Sequence, residues 1–130
     1  MGNTKKPKPF VLFAGRVPVT ESQIDALKRI IGDFEYEEKF VLWHTSPDEA
    51  EDNRENADKW VEIAKLYDVV VGILPPTALI SLFYARDEAD NNGDEDMEYV
   101  RDLRVFTPIS SVTYTIDRKK QFEFLRLQEI

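Results

Sequence analysis

Six side chains could bind or react, because each sits where an apolar run gives way to a turn or a helix start. Arg16 follows the run Phe10 to Ala14 and precedes Thr20-Glu21-Ser22-Gln23. A guanidinium there can close over an anion held by the amides of the next helix; the alternative is an ordinary surface arginine. His44, the only histidine, ends K-F-V-L-W-H. It can serve as a base near neutral pH or donate to a nucleobase, or it can be a satisfied structural residue. Thr20, Thr77, Ser110 and Ser111 carry hydroxyls able to hydrogen-bond a phosphate or ribose, although a hydroxyl at a helix start ordinarily caps it. Gly15 and Pro76 complete the two turns in which these groups lie, and the eight residues together form the expected ligand-binding set.

No catalytic residue can be assigned among them. A single histidine and no G-x-S-x-G exclude a recognisable hydrolase triad. The five glycines, at 2, 15, 32, 72 and 93, fit neither G-x-G-x-x-G nor a phosphate-binding P-loop. The absence of cysteine excludes disulfides, thiolate metal sites and thiol nucleophiles. From Asp87 to Glu98 the chain is dense in acids around Asn91-Asn92-Gly93, which invites a calcium-loop reading. Aligning Gly93 with the invariant glycine puts Tyr99 where the closing bidentate glutamate belongs. The stretch is therefore expected to be a solvated loop without a metal, and no cofactor is implied.

The elements that position these groups are centred on Tyr67 to Arg86. Val69 to Leu74 is a continuous apolar run rich in valine, suited to a strand buried on both faces. Pro75 and Pro76 stop it, and proline is tolerated in the first turn of a helix. Thr77 to Ala85 then reads as a helix apolar nearly all round, which one sheet face cannot cover. Leu79, Leu82, Phe83 and Tyr84 are the expected contacts of a two-fold homodimer.

Upstream, residues 1–8 read as a disordered tail and Phe10 to Ala14 as a first buried strand. Thr20 to Gln23 is a capping box; Ile24, Leu27 and Ile31 recur at helical spacing before Gly32. Lys39 to His44 reads as the second strand. Ser46-Pro47-Asp48-Glu49 starts a helix whose buried stripe is Ala57, Trp60, Val61 and Ala64. Downstream, a short helical turn falls near Met97 to Leu103, and a strand at Val105-Phe106 is broken by Pro108. Ser111 to Ile116 then pairs with Phe122 to Leu127 as a hairpin. The phase slip between Phe124 and Leu125 suggests a bulge or a strand covered on both faces.

The expected fold is thus α/β: residues 9–130 form a Rossmann-like three-layer domain whose mainly parallel sheet ends in a C-terminal antiparallel hairpin. Right-handed crossovers place the first strand beside the third. Loops 14–20, 44–47, 74–78 and 107–111 then face a ligand.

The chain's 130 residues suffice for a core, with 42% apolar and 12% aromatic residues. A net charge of −8 argues against duplex nucleic acid or an anionic membrane as partner. The run after Lys5, Lys6 and Lys8 is too short for a signal segment or a membrane span, so a cytoplasmic location is expected.

Two segments resemble a known group. F-V-L-F-A-G-R-V-P-V-T-E-S-Q-I-D-A-L and G-I-L-P-P-T-A-L-I-S-L-F-Y-A, with the closing F-E-F-L-R-L, are similar to the small stand-alone CRISPR-accessory proteins with a CARF-like (CRISPR-associated Rossmann) domain. Where members carry Ser-His in the first loop, this chain has Ala14-Gly15-Arg16. The resemblance implies a homodimer that binds a cyclic oligoadenylate, cyclic tetraadenylate first among them, across its two-fold axis. It would regulate or sequester that messenger in type III CRISPR antiviral signalling. Some relatives cleave the ring without metal, using the ribose 2′-hydroxyl, so a metal-independent ring nuclease is one alternative. Others are an acidic protein-interaction module, such as a viral or phage inhibitor, and a nucleoside-processing enzyme.

Overall fold

The computed structural model describes residues 8–15, 18–41, 49–92 and 95–130. The elements run β1 (Phe10–Ala14), α1 (Glu21–Ile31), β2 (Glu35–Lys39), α2 (Glu49–Leu66), β3 (Val69–Gly72), α3 (Pro76–Asn92), α4 (Glu95–Asp102), β4 (Arg104–Tyr114) and β5 (Lys120–Glu129). They build one five-stranded sheet in the order β2-β1-β3-β4-β5, with β4 and β5 antiparallel and every other pair parallel. This is the expected α/β, Rossmann-like layout, including β1 beside β3.

Alternate residues of the central strands feed two cores. Leu12, Val70 and Val105 point toward Ala57, Trp60 and Ala64 of α2, Ala78, Leu82 and Ala85 of α3, and Val100 of α4. Val11, Phe13, Val69, Val71 and Phe106 point the other way, onto Leu27 of α1 and onto Leu127. Central strands covered on both faces carry apolar side chains at consecutive positions, as β1 and β3 do.

Local signals hold where they are strongest. Thr20 caps α1, its Oγ1 accepting from the Gln23 amide at 3.3 Å. Gly32 ends the helix at φ 83°, its N–H donating to the Lys28 carbonyl, a left-handed position that favours glycine. The bulge is also present: Ile109 faces Arg126 and Ser110 faces Phe124, leaving Leu125 as the extra residue of β5.

Five expectations need correction. The second strand is Glu35–Lys39, not Lys39 to His44; Phe40 and Val41 lie outside it, and residues 42–48, which include the Ser46-Pro47-Asp48 helix start, fall outside the described residues. An edge strand has one neighbour, and β1 ends its pairing at Ala14 opposite Lys39. Next, the acidic stretch is not a loop, because α3 continues to Asn92 and α4 begins at Glu95. Ala78, Leu82, Ala85 and Ala89 are all buried at spacings of four, three and four, so the apolar stripe runs on while Asp87 and Asp90 occupy the solvent face.

Third, Pro108 does not break β4. β3 stops pairing at Phe106, so beyond it β4 has a neighbour on one side only, where proline is tolerated. Fourth, β3 ends at Gly72, and Ile73 is exposed. Fifth, Leu82 is fully buried within the chain and Leu79 packs against the same core, which leaves Ile80, Phe83 and Tyr84 as the exposed apolar stripe of α3.

One core residue breaks the pattern. Asn56 is fully buried, and among the described residues neither its amide oxygen nor its nitrogen has a hydrogen-bond partner. Leaving such a group unsatisfied costs about 1–3 kcal/mol. Leucine has the same branching at Cγ, so Asn56→Leu is expected to raise the urea midpoint with unchanged slope; a lowered midpoint would show that the amide is satisfied in solution.

Candidate functional site

The strand order reverses between β1 and β3: the chain leaves β1 toward β2 and leaves β3 toward β4. In open α/β sheets, ligands bind outside the carboxyl ends of strands at such a switch point. There the structure opens a cleft of about 860 Å³, bounded by Ala14-Gly15, Pro18-Val19, Gln23, Glu38 to Val41, Gly72 to Pro76, and Pro108.

Each wall follows from local chemistry. Gly72 lies against β1: a Cβ at this position would stand 2.2 Å from the Ala14 carbonyl oxygen. One residue later the strands separate. The Gly15 N–H still donates to the Lys39 carbonyl at 3.2 Å, and a Cβ on Gly15 would meet nothing within 4 Å. The Val19 N–H donates to Glu38 Oε1 at 3.1 Å, tying the loop before α1 to the end of β2. At the start of α3 the Pro75 carbonyl accepts from the amides of Ala78 and Leu79. Pro76 has no N–H, which leaves Thr77 as the amide of that first turn without a carbonyl partner among the described residues.

The wall is mainly apolar, with Phe13, Phe40, Val41, Ile73, Leu74 and four prolines against Gln23, Glu38 and Lys39. Lys39 is engaged nearby. Its ammonium lies 3.3 Å from Glu37 Oε2 and 5.8 Å from the centre of the Tyr67 ring, and the Tyr67 hydroxyl donates to Glu37 Oε2 at 2.7 Å. Contact with Tyr67 and Glu37 holds the Lys39 pKa above its ordinary value. Hydrogen bonding from Tyr67, then from Lys39, holds Glu37 below the usual carboxylate value. Burial, reinforced by Glu37, pushes the Tyr67 phenol up. Glu37 and Lys39 of β2 and Tyr67, which follows α2, form a cluster of their own on the α2 side of the sheet.

The eight sequence candidates divide. Gly15 and Pro76 line the cleft. Thr20 is a helix cap beside it. Thr77 is half-buried, its hydroxyl without a partner among the described residues, while its carbonyl accepts from Ser81 Oγ at 2.8 Å. Ser110 and Ser111 do not reach the site: they lie within β4, opposite Phe124 and Glu123 of the hairpin, and Pro108 is the β4 residue at the cleft. Arg16 and His44 lie outside the described residues. Gln23, Phe40 and Ile73 are additional wall residues. Gln23 reads in sequence as a capping partner only, and Ile73 as strand; the switch-point rule applied to the end of β3 is the signal that could have found it.

Among the described residues no helix is long and apolar enough to cross a membrane, and no group of three or more acids or histidines could hold a metal ion. The chain matches no protein-family model, no curated protein and no solved structure.

Proposed function

We propose that the chain is a nucleotide-binding module whose carboxyl-edge cleft holds part of a cyclic oligoadenylate, with cyclic tetraadenylate the preferred ring. It would regulate or sequester that messenger in type III CRISPR antiviral signalling. The observation that carries the reading is the cleft at the switch point between β1 and β3, bounded by Gly15 and by the Pro75-Pro76 start of α3. The resemblance in the two segments leading into those turns supplies the ligand class.

The cleft's character supports a base-binding role. Flat apolar surfaces from Phe13, Phe40 and the prolines suit an adenine ring. Gln23 and the backbone offer donors and acceptors to its edge. Phosphate would be met by Arg16, which follows Gly15 directly in the chain. Among the described residues the wall presents no paired acid and base, which favours retention over cleavage.

Titration calorimetry with cyclic tetraadenylate tests the reading. Arg16→Ala removes a charge-assisted contact and should weaken binding about ten- to 150-fold. Gly15→Leu should crowd the cleft beside Ala14 and weaken binding, while the melting temperature, measured alongside, should stay near wild type, since the Cβ itself meets nothing within 4 Å. Absence of wild-type binding would overturn the proposal, and release of linear product from labelled ring would move it to the ring-nuclease alternative.

A further inference from the structure

The β4–β5 hairpin extends beyond the body of the sheet, and its α1-side face changes character along the way. Near the base, Phe106, Leu127 and Phe124 belong to the α1-side core. Toward the tip the same face carries Val112, Tyr114 and Phe122, and these are exposed, Tyr114 at 68% and Phe122 at 71%. β5 is the last strand of the sheet, and nothing among the described residues pairs with its outer edge. A ten-residue edge with bare aromatic neighbours is a template for another strand.

We propose that the occupant is a second copy of this chain, paired β5 to β5 antiparallel about a two-fold axis, so that two sheets join into one. The inference is independent of the ligand reading. Its argument is the order of residues along β5. In the register centred between Phe124 and Leu125, Lys120 stands opposite Glu129, Gln121 opposite Gln128, Phe122 opposite Leu127, and Glu123 opposite Arg126. Two-fold symmetry makes each pair twice. Glu123 meets Arg126, apolar groups meet, and the register uses the whole strand; Glu129 is already bonded to Arg104 Nε and Nη2, so the Glu123–Arg126 pair carries the charge match. A shift of one pair either way puts Lys120 opposite Leu127 or Phe122 opposite Glu129, and the charge pairing is lost.

The bulge selects this arrangement. Residues directly opposite in an antiparallel pair share a face. A regular strand paired with itself can therefore match only positions of the same alternation. Leu125, the extra residue, reverses the alternation between the two halves of β5: Phe122 shares a face with Leu127, and Glu123 shares one with Arg126. A straight foreign strand would fall out of phase across the bulge, whereas a partner with the same bulge at the same place stays in phase. The competing face, the α3 stripe of Ile80, Phe83 and Tyr84, is short and runs into Asp87.

Sedimentation velocity on the full chain at up to about 100 µM, a range that captures ordinary specific association, tests the proposal. Glu123→Arg and Arg126→Glu alter exposed side chains, and each sets like charges opposite twice. Each should raise the dimer dissociation constant about tenfold or more. The double variant Glu123→Arg/Arg126→Glu should restore it, and an equimolar mixture of the two single variants should form a mixed dimer. Phe83→Ser on α3 should leave the dimer intact. A wild type that stays monomeric, a dimer indifferent to both reversals, or a dimer lost only with Phe83→Ser would each overturn the proposal.

Discussion

Gly72→Ala is expected to destabilise the protein by about 3 kcal/mol or more, the upper end for overpacking by one methyl. The new Cβ would stand 2.2 Å from the Ala14 carbonyl oxygen and 3.2 Å from its carbon, so a backbone and not a flexible side chain must give way. Ala14 belongs to β1, which pairs with β2 on one side and β3 on the other. A shift there disturbs both ladders at the mouth of the cleft. Against a typical total of about 5–15 kcal/mol, that loss is a large fraction. Urea denaturation should show a lower midpoint. Gly15→Ala is the control: its Cβ meets nothing within 4 Å, and the variant should unfold near the wild-type midpoint. Equal midpoints for wild type and Gly72→Ala would mean that β1 and β3 do not approach as described.

Trp60→Ala should cost about 3–5 kcal/mol, the range for removing a large buried aromatic. Trp60 is wholly buried among Leu12, Val70 and the small residues of α2 and α3, and its Nε1–H donates to the Ala78 carbonyl at 3.0 Å. It thereby joins α2 to the first turn of α3, whose start forms one wall of the cleft. Trp60→Phe separates the two contributions. It keeps most of the apolar volume and loses the hydrogen bond, which is worth about 1 kcal/mol. Thermal unfolding followed by circular dichroism should rank wild type, Phe and Ala in that order. A phenylalanine variant as unstable as the alanine one would show that the indole hydrogen bond, not the packing, holds the helices together.

Both residues show where the sequence was readable. The run from Val69 reads as a central strand stopped by Pro75-Pro76, and Ala57, Trp60 and Ala64 read as a helix stripe, because burial constrains side-chain type and spacing; that the strand ends already at Gly72 was not legible. The caps Thr20 and Gly32 were legible for a related reason: each satisfies backbone groups of its own helix and needs nothing from afar. The slip at Phe124 and Leu125 disclosed the bulge, since alternation in a hairpin fails only where a residue is added or both faces are covered.

Other features depended on partners distant in the chain. The five residues E-Y-E-E-K form a strand because β1 offers an open edge, with Glu35 opposite Phe10 and Lys39 opposite Ala14; Phe40 and Val41, which follow, gain no ladder once β1 has ended. β4 passes through Pro108 because β3 has already stopped. The acids after Arg86 remain helical because Ala85 and Ala89 continue a stripe against the core, a signal carried by small side chains among many charges. Ser110 and Ser111 lie away from the cleft because the strand that carries them extends past the sheet. Sequence alone determined each element whose free energy is local or whose burial is two-sided. Tertiary structure decided the edges, where a strand begins, ends or tolerates proline according to which neighbour is there to accept its hydrogen bonds.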